Sequence, residues 1–195
     1  MLEEWRILKL GYFSRDGNYD FSRLGASIGE NTHLARLRIN IADVCTINKD
    51  FFQGLKRNTS IHELQLVCQN HSIVGGVIHE ILNVYQENNN LSSLAIGRAD
   101  LQNGGGNVIA TTLRRYTNLT RISLVNNGIT DQVLLQIVDA IRGHIISWEM
   151  LSLRTNGIGD VSCGTLIVLS FKIQTAIYIL LTSVIMSSLT MVQLL

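Results

Sequence analysis

Few groups in this 195-residue chain are spaced for chemistry. The five histidines, His33, His62, His71, His79 and His144, are the natural candidates for metal binding or proton transfer. Two of them precede a glutamate, as His62-Glu63 and His79-Glu80, but neither has a second histidine at the fourth place, which a zinc-binding His-Glu-x-x-His helix needs. The three cysteines, Cys45, Cys68 and Cys163, are odd in number and far apart. They read as small buried hydrophobes in a reducing compartment rather than a disulfide frame or a zinc site. The run NGGGN at residues 103–107 is glycine-rich, yet no Lys-Ser or Lys-Thr follows to reach a phosphate, so it reads as a flexible strand-to-helix loop. No serine or cysteine occupies a Gly-x-Ser-x-Gly elbow. The sequence calls for no cofactor, no metal and no catalytic group, and the chain is read as a non-enzyme.

The elements that would position any site repeat themselves. The pattern apolar-x-x-apolar-x-apolar recurs as Trp5/Leu8/Leu10, Leu34/Leu37/Ile39, Ile61/Leu64/Leu66, Leu91/Leu94/Ile96, Leu119/Ile122/Leu124 and Trp148/Leu151/Leu153. Its starts lie about 27 to 30 residues apart, and a fixed period in that range marks a stacked repeat. Each unit begins with the alternation of a half-buried strand. It then changes to helical spacing: Phe51, Phe52 and Leu55; Val77, Ile78, Ile81, Leu82 and Tyr85; Val108, Ile109, Thr112, Leu113 and Tyr116; Val133, Leu134, Ile137, Val138 and Ile141, after Thr130 or Asp131 as N-cap. One such unit cannot bury both its strand face and its helix face, whereas a stack can. The expected fold is an α/β solenoid with parallel strands near residues 34, 61, 91, 119 and 148.

Alternation also selects the side chains that point away from the core. These are Ile7, Lys9 and Gly11; Arg36, Arg38 and Asn40; Glu63, Gln65 and Val67; Ser93, Ala95 and Gly97; Arg121, Ser123 and Val125; Met150, Ser152 and Arg154. With strands about 4.8 Å apart, Lys9, Arg36 and Arg38 cluster. The column holds five basic residues against one acid, Glu63, on a chain whose formal net charge is only +1. That local excess favours an acidic protein segment, because arginine pairs carboxylates and the small residues of the fourth and fifth units leave room for a partner. The expected contact residues are Lys9, Arg36, Arg38, Glu63, Gln65, Arg121, Ser123, Ser152 and Arg154. Nucleic acid is not expected as a partner: the face has little aromatic interleaving and too few basic residues for a phosphate footprint.

On these motifs the chain resembles the leucine-rich repeats, pattern L-x-x-L-x-L-x-x-N-x-L, and its unit length is similar to that of the ribonuclease-inhibitor-like subclass. The resemblance covers roughly residues 5–169. It implies a horseshoe segment, strands on the concave face and helices on the convex one, acting as a scaffold for protein binding. The asparagine position holds Asn127 and Asn156, but Phe13, Ala42, Gln69 and Ala99 in the first four units, so the asparagine ladder such folds carry is interrupted there. In the third unit Asn70 and Ile73 come late, which suggests a bulge. Gly128 and Gly157 read as places where a side chain would crowd the chain leaving the strand. The resemblance also offers a second function, a GTPase-activating or regulatory protein of the Ran-type, although its acidic tail is missing and no functional residue matches by position.

The ends differ from the middle. The N-terminus carries Glu3 and Glu4 where a secretory signal has positive charge, so the chain is read as cytoplasmic. Matches to Asn-x-Ser/Thr at Asn58, Asn70, Asn90 and Asn118 are then chance. From Ile173 to Leu195 no residue is charged, which divides the chain into a repeat domain, 1–169, and an apolar tail, 170–195. The tail is either a degenerate seventh repeat, with Ile177, Leu180 and Thr182 in register, or a membrane anchor making the chain a tethered adaptor, or an altered terminus. Neither end offers a solenoid cap, which suggests a piece of a longer protein.

Overall fold

A computed structural model of the chain describes residues 6–13, 19–41, 47–69, 75–88, 90–101, 105–142, 149–159 and 178–180. Strand and helix alternate through them: β1 (Ile7–Phe13), α1 (Phe21–Glu30), β2 (Arg36–Ile41), α2 (Lys49–Arg57), β3 (Glu63–Cys68), α3 (Gly75–Asn88), β4 (Ser93–Gly97), α4 (Gly105–Arg115), β5 (Arg121–Ser123), α5 (Asp131–Arg142), β6 (Met150–Ser152) and β7 (Tyr178–Leu180). The seven strands form one sheet in sequence order, and every neighbouring pair is parallel. This is an α/β, solenoid-like stack, and it is compatible with a leucine-rich-repeat type of fold.

The period is written into the register. Leu8, Leu37, Leu64, Leu94, Ile122, Leu151 and Ile179 stand opposite one another across the seven strands. A second row runs Leu10, Ile39, Leu66 and Ile96. From Leu37 to Leu151 the first row is buried, and the helices supply the other half of the core with Ile28, Phe51, Leu55, Ile81, Leu82, Tyr85, Ile109, Leu113, Leu134, Ile137 and Ile141. Each such burial stabilises by roughly 1.5–3 kcal/mol, and no unit collects it without a neighbour. Consecutive helices pack side by side, α1 on α2 through to α4 on α5. The first approach is set by glycine: a Cβ on Gly25 or Gly54 would run into the backbone of the other helix.

Backbone groups at the turns find their partners in the next unit. Asn127, fully buried, donates from Nδ2 to Ile96 O (2.8 Å) and accepts at Oδ1 from Ala99 N (2.8 Å). One unit on, Asn156 donates to Leu124 O (2.7 Å) and accepts from Asn127 N (2.9 Å) and Ile129 N (3.1 Å). At the opposite end of the units, buried Asn58 donates to Ile28 O (2.8 Å) and Asn31 O (2.7 Å) and accepts from Ser60 N and Ile61 N. Asn58, which matches a glycosylation triplet, is thus a buried structural brace.

Several expectations need correction. Strands begin at residues 36, 63, 93, 121 and 150, two residues after the expected starts; Leu34, Ile61, Leu91 and Leu119 are buried just ahead of the pairing, and Trp148 lies outside the described residues. An extra residue in β1 puts Tyr12, not Gly11, opposite Asn40. Gly105 to Asn107 form the first turn of α4 rather than a loop, and Gly106 lies against Val133, where a Cβ would collide. Gly128 has a φ of 66°, which favours glycine, while a Cβ on Gly157 would meet only Ile129 O, at an ordinary 3.6 Å. The tail register is shifted by one: Ile179, not Leu180, stands opposite Leu151. Trp5, Cys45, Asn70, Ile73, Cys163, His71, His144 and the remainder of the tail lie outside the described residues. Among the described residues no helix is long and apolar enough to cross a membrane.

Candidate functional site

The face of the sheet turned away from the helices carries two rows of outward side chains, fixed by the same register as the core. One runs Ile7, Arg36, Glu63, Ser93, Arg121 and Met150; the other runs Lys9, Arg38, Gln65, Ala95, Ser123 and Ser152. At the β1 to β4 end the rows line a groove of about 420 Å³ that includes Ile7, Lys9, Arg36, Arg38, Glu63 and Gln65. The floor is the sheet itself, with small Ser93 and Ala95 at the far side.

The charges in the two rows are disposed differently. In the first row Arg36 Nε meets Glu63 Oε2 at 2.8 Å across β2 and β3, and Arg121 Nε meets Glu149 Oε2 at 3.4 Å. The His62 ring stands 4.0 Å from the other Glu63 oxygen, so the His62-Glu63 dipeptide belongs to this pair. Such half-exposed pairs add about 0–1 kcal/mol to stability, but they offset the arginine charges locally. In the second row Arg38 Nε donates to Asn40 Oδ1 (3.1 Å), whose own Nδ2 donates to Leu10 O (3.1 Å). Arg38 is therefore braced by a neutral group across to β1, and Lys9 is its Cα partner on that strand. Among the described residues neither has an acidic partner. Arg154, exposed at the other end, stands apart from them.

The structure thus brings Lys9, Arg36, Arg38, Glu63 and Gln65 together and leaves Arg121, Ser123 and Arg154 outside the groove. Ser152 departs from its expected exposure. It is 4% exposed, placed between Ser123 and Leu180 by the pairing of β6 with both neighbours. Sequence alternation placed Asn40 in the outward column but not among the contact residues, although it orients Arg38, and it missed Glu149, which lies one residue before β6; only the 28-residue offset of Glu149 from Arg121 carries any signal.

The fold and this face define a stack of strand-and-helix repeats with one side of its parallel sheet open. Among solved structures, leiomodin-1 actin-binding site 2 is similar, with a TM-score of 0.51 and 15% identity over 70% of this chain and 79% of that one. The likeness shows the fold. No protein-family model matches the chain, and no curated protein does.

Proposed function

We propose that this chain is a non-enzymatic binding scaffold, a leucine-rich repeat of the ribonuclease-inhibitor-like kind, whose open sheet face takes an acidic segment of another protein. The observation that carries the reading is the placement of Lys9 beside Arg38 in a groove where the neighbouring arginine, Arg36, is already matched by Glu63. Two cations on adjacent strands, whose backbones lie about 4.8 Å apart, suit two carboxylates of an extended segment, and Asn40 holds Arg38 in place before a partner arrives. The similar structure is titled as an actin-binding site, which makes actin one partner to include in a binding panel.

The test is titration of a fluorescent peptide of alternating glutamate and serine, followed by anisotropy at low and high salt. Lys9→Glu with Arg38→Glu should weaken binding at least tenfold, Arg36→Glu should weaken it less, and Arg154→Glu should change it least. Added salt should weaken the wild type. Equal binding by all variants would move the site off this face.

A further inference from the structure

The second row of outward side chains begins with three hydrogen-bond donors in succession. Lys9 faces Arg38 across β1 and β2, and Arg38 faces Gln65 across β2 and β3. All three line the groove on the open face of the sheet, where neighbouring backbones lie about 4.8 Å apart. Arg38 spends its Nε–H on Asn40 Oδ1 (3.1 Å), which leaves the donors on its two Nη atoms for a ligand. Lys9 and Gln65 are exposed. Among the described residues the carboxylate in the lining is that of Glu63, and it stands 2.8 Å from Arg36 in the first row. Those two charges offset each other, so the excess positive charge of the groove rests on Lys9 and Arg38.

We propose that the acidic segment taken by this groove carries a phosphoserine, whose phosphoryl group sits on Lys9, Arg38 and Gln65. The inference rests on the open face being the binding site and adds the chemistry of the group bound there. Phosphoserine brings a charge of about −1.5 to −2 at neutral pH and three terminal oxygens. That charge meets Lys9 and Arg38 at one point. The guanidinium edge takes two oxygens side by side, and the carboxamide of Gln65 can donate to the third. Two glutamates bring the same charge on two residues, but same-face side chains of an extended chain recur only every 6.7 Å or so, a longer step than the spacing between strands. Two side chains rather than one must then be immobilised. Beyond Gln65 the lining falls to Ser93 and Ala95, which lets a peptide backbone come close enough for the short phosphoserine side chain to reach the row. No aromatic side chain lines the groove among the described residues, so nothing there stacks on the ring of a phosphotyrosine.

The test uses fluorescent peptides of one Gly-Ala-Ser framework that carry at the centre a serine, a phosphoserine or two alternate glutamates. Each is titrated with the whole chain at pH 7.5 and matched ionic strength, with anisotropy as the readout. The phosphopeptide should bind about tenfold or more tightly than the serine peptide, and about threefold or more tightly than the glutamate peptide of equal charge. Gln65→Ala should weaken the phosphopeptide about threefold and leave the glutamate peptide unchanged. Lys9→Glu with Arg38→Glu should remove the preference for phosphate. Equal or tighter binding of the glutamate peptide would overturn the phosphoserine inference and leave the acidic-segment reading standing, whereas failure of both peptides to bind would overturn both. Phosphopeptide binding that survives Lys9→Glu with Arg38→Glu in folded protein would also overturn it.

Discussion

Asparagine braces the two halves of the stack at opposite ends of the unit. In the early units the brace sits where helix turns into strand: Asn31 accepts from His33 N and Leu34 N, and Asn58 bonds to Ile28, Asn31, Ser60 and Ile61. In the fifth and sixth units it sits where strand turns into helix, as Asn127 and Asn156. Strand length explains the exchange. β1, β2 and β3 run six or seven residues, and the backbone ladder continues until Gln69 N donates to Ile41 O (2.7 Å). β5 and β6 stop after three. Beyond them the chain turns through positive φ at Asn126 and Thr155, and side chains must meet the backbone groups that pairing no longer reaches. At the helix end of the fourth unit Tyr116 takes the place of Asn31 and Asn58 and donates from its hydroxyl to Leu82 O (2.6 Å). A repeat need not repeat its braces; it must only leave no buried backbone group unmet.

The strongest way to break the first half alone is Gly54→Ala. The added Cβ would overlap the Gly25 carbonyl, and the helix propensity gained, up to about 1 kcal/mol, is too small to offset overpacking against rigid backbone. A loss of about 3 kcal/mol or more is expected in urea unfolding. Asn58→Ala and Asn127→Ala attack one brace in each half. Each leaves buried backbone groups without partners and should cost about 2–3 kcal/mol. The double variant should show the sum within about 0.5 kcal/mol, because the two braces share no partner; a large coupling energy would mean that the halves are not separately braced.

High pH reaches the core without touching either set of asparagines. Burial pushes the Cys68 thiol from 9.0 up to about 11, and Tyr85 and Tyr116 are pushed above the ordinary phenol range, by burial first and for Tyr116 also by its proximity to Tyr85. Between the unfolded and folded values the folded chain keeps protons that the unfolded chain loses. Stability should therefore be level up to pH 9 and fall as pH rises toward 11, by at most about 1.4 kcal/mol per unit for each group. A melting temperature constant from pH 9 to 11 would contradict this burial. Thr155→Gly should sharpen the contrast in the other direction. A β-branched residue at φ 58° is strained, and glycine should raise stability by about 1 kcal/mol, visible as a higher melting temperature.

The sheet was legible because burial forces it: each row of leucines and isoleucines has to meet the next, and the offsets between motifs are the offsets between paired strands. The outward column followed from the same alternation. What alternation cannot state is how a side chain is spent. Arg36 and Arg38 look alike in the sequence, yet one faces Glu63 across the sheet and the other leans on Asn40. Asn31 and Asn58, three residues before their apolar starts, were hidden because asparagine is common in this chain and Asn58 also matches a glycosylation triplet. The close helix approach was signalled by Gly25 and Gly54 at a 29-residue offset, but only the geometry shows that neither tolerates a methyl group. In the tail, apolar residues are so dense that a shift of one residue leaves the pattern nearly intact, and pairing alone separates Ile179 from Leu180.

The claim beneath all of this is that each unit is completed by the next, and amide hydrogen exchange at Ala99 tests it most directly. Among the described residues its N–H is bonded through Asn127, 28 residues later in the following unit. The amide should be protected in the wild type and should lose that protection in Asn127→Ala, while the Ile61 amide, held by Asn58, keeps its own. Fast exchange at Ala99 in the wild type, or protection unchanged by Asn127→Ala, would contradict the account.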